Sequence, residues 1–218
     1  MANLNILYTA NLRGAIEMLP RLHTFIRQLK SLPLDEENDV MLCMVEPVQT
    51  RWLLLDLGDS CDSAIWHCAA TAGRSMLIAL DAMGFHAANV EGMLSAASRE
   101  RLRDNLLGMA LVDAETTWRD GDDVMVMYRG GFQTRPYLQI ELMMSAATHV
   151  DDQRLYLAEI QVGQVGQAVV SLAGGQPELL SATVHDLPAS ALPDPTIAGT
   201  VDFILSEARL FQGRHSTD

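Results

Sequence analysis

The feature that most constrains this chain is a change of texture at Gly108. Before it, apolar runs of strand length alternate with helical stripes; after it, short strand-like runs follow one another across glycine turns. Alternation implies parallel strands joined by crossover helices, and turn-punctuated runs imply strands paired mostly antiparallel. In the first half, Asn3 to Thr9 reads as a strand, and Ile16, Leu19, Leu22, Ile26 and Leu29 recur every three or four residues as one helix face. Pro33 and the acidic run from Asp35 to Asp39 read as a solvated loop. Val40 to Val45 and Trp52 to Asp56, with Pro47 and Gln49 between them, predict a hairpin. Ser60 to Ala72 predicts a loop or short helix, Ser75 to Met83 a helix stopped by Gly84, Phe85 to Asn89 a buried strand, and Leu94 to Leu107 a further helix.

In the second half, strands are predicted at Met109 to Val112, Val124 to Tyr128, Tyr137 to Met143, Leu155 to Ile160, Gln167 to Leu172 and Leu179 to Val184. A last helix opens with Asp194 as N-cap and Pro195 in its first turn, buries Ile197, Val201, Ile204, Leu205 and Ala208, and is expected to end at Gly213. There is no repeat, low-complexity tract or interdomain linker. The expectation is one domain over residues 1–218, a mixed α/β fold with two mixed sheets packed face to face and helices flanking them.

Composition narrows the partners. Fifteen basic against twenty-eight acidic residues give a net charge of −13, which repels phosphate backbones and anionic lipid heads. Nucleic acid and membrane surfaces are therefore disfavoured, leaving a protein or a small molecule. The start, MANLNILYTANLRG, has no signal-peptide pattern, and no apolar run reaches the roughly 20 residues of a membrane span. Cys43, Cys61 and Cys68 are odd in number, which predicts reduced thiols in a cytoplasmic protein.

Several blocks fall in a recognisable order. Ile6-Leu7-Tyr8-Thr9-Ala10-Asn11-Leu12-Arg13-Gly14 is a strand running into a glycine turn. Leu53-Leu54-Leu55-Asp56-Leu57-Gly58-Asp59-Ser60 is a strand ending in Gly-Asp, and Gly73-Arg74-Ser75-Met76 leads through Ala79 to Gly84 into Asn89-Val90-Glu91. From about residue 4 to residue 92 this order resembles calcineurin-like metallophosphoesterases of the 5′-nucleotidase branch, with a fainter match at Gly163 to Gly166 and at Asp194-Pro195. The resemblance implies a four-layer sandwich of two mixed sheets and helices. It also implies two divalent metals at the carboxyl ends of the strands, activating a water for attack on phosphorus.

Carried over by position, the resemblance implies a site that has lost most of its ligands. Asn11 stands where the family has Asp, Arg13 where it has His, and Val90 where it has the assisting His; Asp59 and Asn89 match, and Glu91 matches a residue outside the ligand set. His149 is the nearest candidate for the later histidines but lacks their pattern. A guanidinium does not ligate metal, so the expectation is an Arg13–Asp59 ion pair filling the old site, hydrogen-bonded by Asn11 and Asn89. Without the resemblance, Asp59 and Asn89 read simply as turn caps. The functional expectation is a domain without phosphatase activity, acting as a binding or assembly module with no cofactor. The alternatives are a weak metal-dependent phosphoesterase using Asp59, Asn89 and a later histidine with Mn, Zn, Fe or Mg, and a divergent enzyme with a new site in the same cleft.

Other constellations read as structural. Cys61 and Cys68 flank His67, but their separation of seven misses the usual Cys-x2–4-Cys zinc spacing. Gly163, Gly166, Gly130 and Gly131 read as turn glycines, His23 and His86 as packed side chains, and Met41, Met44, Met125, Met127, Met143 and Met144 as core filler. No Gly-x-Ser-x-Gly, phosphate-loop or dinucleotide fingerprint is present.

Overall fold

Asn3–Thr9 forms the strand on which the rest is assembled, because both of its faces are apolar enough to be buried. The computed structural model describes residues 3–31, 51–104, 107–130, 137–173 and 175–215. In chain order the elements are β1 (Asn3–Thr9), a 3-10 turn (Ile16–Met18), α1 (Leu19–Ser31), β2 (Arg51–Asp56), α2 (Trp66–Thr71), α3 (Arg74–Ala82), β3 (Ala87–Asn89), α4 (Ala96–Asp104) and β4 (Ala110–Val112). There follow β5 (Trp118–Asp120), β6 (Val124–Met127), β7 (Leu138–Ser145), β8 (His149–Asp151), β9 (Arg154–Ala158), β10 (Gln164–Ser171), β11 (Glu178–Asp186) and α5 (Pro195–His215). The predicted strand at Val40 to Val45, the acidic loop, Cys43, Met41 and Met44 lie outside the described residues.

The strands make two mixed sheets. The first runs β11-β10-β1-β2-β3-β4, with β1 to β4 parallel and β10 and β11 antiparallel. The second runs β5-β6-β7-β9-β8. The predicted antiparallel pairing of the second half is found at β5–β6, β8–β9 and β10–β11, whereas β6–β7 and β7–β9 are parallel. An alternating strand pattern states which face is buried and not which neighbour it pairs with. Two short strands, β5 and β8, escaped notice because three residues carry no readable period.

The period of two sorts the strands into layers. Leu7 and Leu54 face α1, α3 and α5, whereas Leu4, Ile6, Tyr8, Leu53 and Leu55 face the second sheet and meet Val124, Val126, Ile140, Leu142 and Leu155. Each fully buried aliphatic side chain of this kind contributes about 2 kcal/mol. The two sheets are also tied by Arg51 of β2. Its Nε donates to Asp120 Oδ2 at 2.7 Å and its Nη1 to Asp123 Oδ1 at 2.8 Å.

The last helix is capped as predicted, with Asp194 Oδ1 accepting the Thr196 and Ile197 amides at 2.9 and 3.1 Å. It continues through Gly213 to His215, so that glycine does not end it. Gly163 sits in a turn at φ +84°, but Gly166 lies inside β10 and opposite Tyr8, which corrects its reading as a turn residue. Met125 and Met127 are buried, whereas Met143 and Met144 are only partly so. No helix among the described residues is long and apolar enough to cross a membrane.

Candidate functional site

Because β1, β2 and β3 are parallel, the segments that leave them emerge at one edge of the sheet. This is where an open α/β sheet ordinarily places a site. Asn11 and Arg13 follow β1, Asp59 follows β2, and Asn89 ends β3. The β1 and β2 loops continue the strand pairing as a ladder. The Leu57 amide donates to the Thr9 carbonyl at 2.8 Å, Asn11 to Gly58 at 3.0 Å, Arg13 to Asp59 at 2.8 Å and Gly14 to Ser60 at 2.8 Å. Asn11, Arg13 and Asp59 all hold left-handed backbone, at φ +53°, +46° and +54°. Asn and Asp tolerate that region, but Arg rarely enters it.

The side chains of the resemblance meet different fates. Asn11 is only 4% exposed, and its Nδ2 donates to the Ile160 carbonyl at 2.9 Å, with Glu159 Oε1 at 3.3 Å. Asn89 is 8% exposed; its Nδ2 donates to the Leu57 carbonyl at 2.8 Å and its Oδ1 accepts the Glu91 amide at 2.9 Å. Gly58 makes room for it, since a Cβ there would lie 2.9 Å from Asn89 Nδ2. Arg13 and Asp59 are both exposed and no ion pair joins them, so the predicted charge pair is not formed. The left-handed backbone at both positions leaves the two residues linked through amide and carbonyl alone. Glu91 is exposed and accepts the Ala114 amide at 2.9 Å. His149 is exposed on edge strand β8, where it stacks on Tyr156 at 4.7 Å.

Sequence reasoning missed three groups at this edge. Glu159 reaches it from the second sheet, whose pairing was not legible. Asp56, at the end of β2, is fully buried beneath the Gly58-Asp59 turn. Its Oδ1 accepts the Thr9 hydroxyl at 2.8 Å, and its Oδ2 meets the Ser60 hydroxyl and the Gly58 amide. Burial pushes its carboxyl up to about 7, against the opposing pull of those three bonds. Asp113, after β4, pairs with Arg99 of α4 and accepts the Thr116 hydroxyl and the Glu115 and Thr116 amides. Burial would raise its carboxyl, but these bonds outweigh it and hold the group at about 2.

Asp113 thus pins the loop beside Asn89 and Glu91. Asp113→Ala is expected to cost about 3 kcal/mol in urea unfolding, because it strands a half-buried guanidinium and two amides. The folded carboxyl is depressed, so this contribution is full above about pH 4 and is lost as pH falls through about 2. A loss below about 1 kcal/mol would contradict the assignment.

A second polar cluster lies where the same loop continues past Ser60. Cys61 and Cys68 are joined by a disulfide, which overturns the expectation of reduced thiols at these two positions. Seven residues of separation did not suggest pairing, but the turn from Asp62 to Ile65 folds the chain back onto the start of α2 and brings the two Cα atoms to 5.6 Å. His67 lies between them and is buried. Among the described residues, Cys61, His67 and Cys68 are the one group of three or more His, Cys, Asp or Glu whose ligand atoms converge.

No protein-family model and no curated protein matches the chain. Among solved structures it is similar to the calcineurin-like phosphoesterase YfkN from Bacillus subtilis. The TM-score is 0.51 at 9% identity, over 97% of this chain and 99% of that one. At that identity the likeness shows the fold, and the fold is a metallophosphoesterase-like sandwich of two mixed sheets with flanking helices. Proteins of this fold commonly hold divalent metals. The inherited ligand positions do not fit such a centre: Arg13 is a fixed cation, Asn89 Oδ1 is taken by the Glu91 amide, Asp59 is the one carboxylate among them, and the neighbouring Asp56, Asp113 and Glu159 do not converge with it on a point among the described residues.

Proposed function

We propose that this chain is a degenerate member of the 5′-nucleotidase branch of the metallophosphoesterases, without phosphatase activity, serving as a binding or assembly module. The observation that carries the reading is the state of Asn11 and Asn89. Each amide nitrogen donates to a backbone carbonyl, and Asn89 Oδ1, the atom a metal would need, is taken by the Glu91 amide, so these side chains bind the loops together. Asp59 is then the sole carboxylate at the inherited ligand positions, beside the fixed charge of Arg13. A pair of hydrolytic metals needs several anionic or imidazole donors converging on one point. Three left-handed residues at this edge support descent from an active site, since such backbone persists where the surroundings impose it. The net charge of −13 favours a protein or small molecule as the ligand over nucleic acid or anionic lipid.

The test is hydrolysis of phosphodiester and nucleotide substrates with Mn, Zn, Fe or Mg supplied, in the parent and in Asp59→Ala. The expected outcome is no turnover above the protein-free blank in either. Metal-dependent turnover in the parent that Asp59→Ala abolishes would establish the weak phosphoesterase instead.

A further inference from the structure

The cluster around the disulfide has the parts of a metal site in its reduced form. His67 is 3% exposed, and its Nε2 lies 2.9 Å from the Gly14 carbonyl oxygen. A carbonyl only accepts, so in the neutral ring Nε2 carries the proton and Nδ1 holds the lone pair. Nδ1 faces the Ser75 hydroxyl at 2.8 Å, and Cys61 Sγ lies 3.7 Å from that same hydroxyl. One ring nitrogen anchored to a backbone carbonyl with the other free to ligate is how metal-binding histidines are oriented. Ser75 is not stranded if Nδ1 is taken up elsewhere, because its hydroxyl has the His67 carbonyl as a second acceptor at 3.5 Å.

The sulfur atoms complete the set. Cys61 Sγ, Cys68 Sγ and a His67 nitrogen all lie within 4.8 Å of one another. Cys-x2–4-Cys spacing is one way to bring two thiolates together, and here the turn from Asp62 to Ile65 leading into α2 does so over a longer path. A cavity of about 370 Å3 opens beside the disulfide, walled by Cys61, Ser63, Cys68, Ala72, Gly73 and Met93, and gives solvent a route to the sulfurs.

We propose that the dithiol form of this cluster is a zinc site, with Cys61 Sγ, Cys68 Sγ and His67 Nδ1 as ligands and a fourth position open to water in the cavity. Opening the site needs a two-electron reductant, such as a dithiol. The dithiol gives up two electrons and two protons and becomes a disulfide, while the Cys61–Cys68 bond breaks into two thiols. Zn2+ then replaces the two thiol protons, which pass to solvent. The site adjoins the Asp59 edge through Gly14 and Ser60 but uses none of the inherited ligand positions, so it does not depend on the loss of phosphatase activity.

The experiment uses the full chain in a Cys43→Ser background, so that the third cysteine cannot supply a ligand. The protein is reduced anaerobically with a phosphine, which takes an oxygen atom from water as it opens the disulfide, and is titrated with Co2+ as a coloured substitute for Zn2+. About one equivalent should bind per chain with sulfur-to-cobalt charge-transfer absorption, and Zn2+ should displace it. The unreduced protein should show no such band. Cys68→Ser should abolish it, His67→Gln should weaken binding by at least about tenfold, and Asp59→Ala should leave it unchanged. Cys68→Ser is the deciding variant, because it is compared with a reduced parent that also lacks the disulfide and its fold can be checked by circular dichroism. A reduced parent without the band, or a band that survives Cys68→Ser, overturns the proposal.

Discussion

Gly166→Ala is expected to destabilise this protein by at least about 3 kcal/mol, lowering the melting temperature by roughly 6–12 °C. Gly166 sits in β10 directly opposite Tyr8 of β1, and a Cβ at Gly166 would lie 2.0 Å from the Tyr8 ring. Such a contact cannot be absorbed by a small shift. The ring is 1% exposed and packed in the layer between the sheets, so it has no solvent to swing into. Either the ring leaves the core, losing the burial of a large aromatic side chain, or β1 and β10 separate at the centre of their sheet. Gly163→Ala is the control. It is left-handed at φ +84° with only the Met18 sulfur nearby at 3.8 Å, so it should cost about 1 kcal/mol from backbone strain alone. Combining Gly166→Ala with Tyr8→Ala should give much less than the sum of the two single losses, because the second substitution removes what the first collides with. A Gly166→Ala protein within about 1 kcal/mol of the parent would show that the ring does not cover this glycine.

The same glycine shows where the sequence stopped being legible. Hydrophobic periodicity placed β1, β2, α1 and α3, because each has one face committed to the core and a clear end at Gly58, Gly84 or a change of period. The block order from Ile6 to Glu91 then named the sheet edge where Asn11, Asp59 and Asn89 emerge. Pairing partners were not legible. Nothing in Val124 to Met127 or Leu138 to Ser145 states that these strands run parallel, so Glu159 could not be placed beside Asn11. Side-chain direction was not legible either. Arg13 was expected to turn inward to Asp59, but a left-handed backbone at both positions leaves each side chain in solvent. The pairing of Cys61 with Cys68 is not legible because the local rule counts residues, while the turn from Asp62 to Ile65 sets the distance.

Asp56 should make stability fall as pH rises across the neutral range, the reverse of ordinary acid denaturation. Its carboxyl ordinarily titrates at 3.8, and burial pushes it up to about 7 in the folded chain. A raised carboxyl means the folded state holds a proton that the unfolded state has released. The contribution is therefore full below about pH 4, declines as pH rises toward 7, and is gone above it. The difference of about three units corresponds to about 4 kcal/mol. His23 and His86 oppose this, since burial lowers both and their contribution is lost as pH falls through the histidine range. Asp113 titrates too low to enter the window. Asp56→Asn isolates the effect. Its amide can donate to the Thr9 hydroxyl while its oxygen accepts the Ser60 hydroxyl and the Gly58 amide, so every partner is kept without a charge. Urea unfolding at pH 4 and pH 8 should find the variant close to the parent at the lower pH and several kcal/mol more stable at the higher. A parent-to-variant difference that does not change between the two would show that Asp56 is ionised in the fold. The Gly58-Asp59 turn would then rest on a buried carboxylate held by three hydrogen bonds, and the Asp56→Asn protein would be the less stable of the two at both pH values.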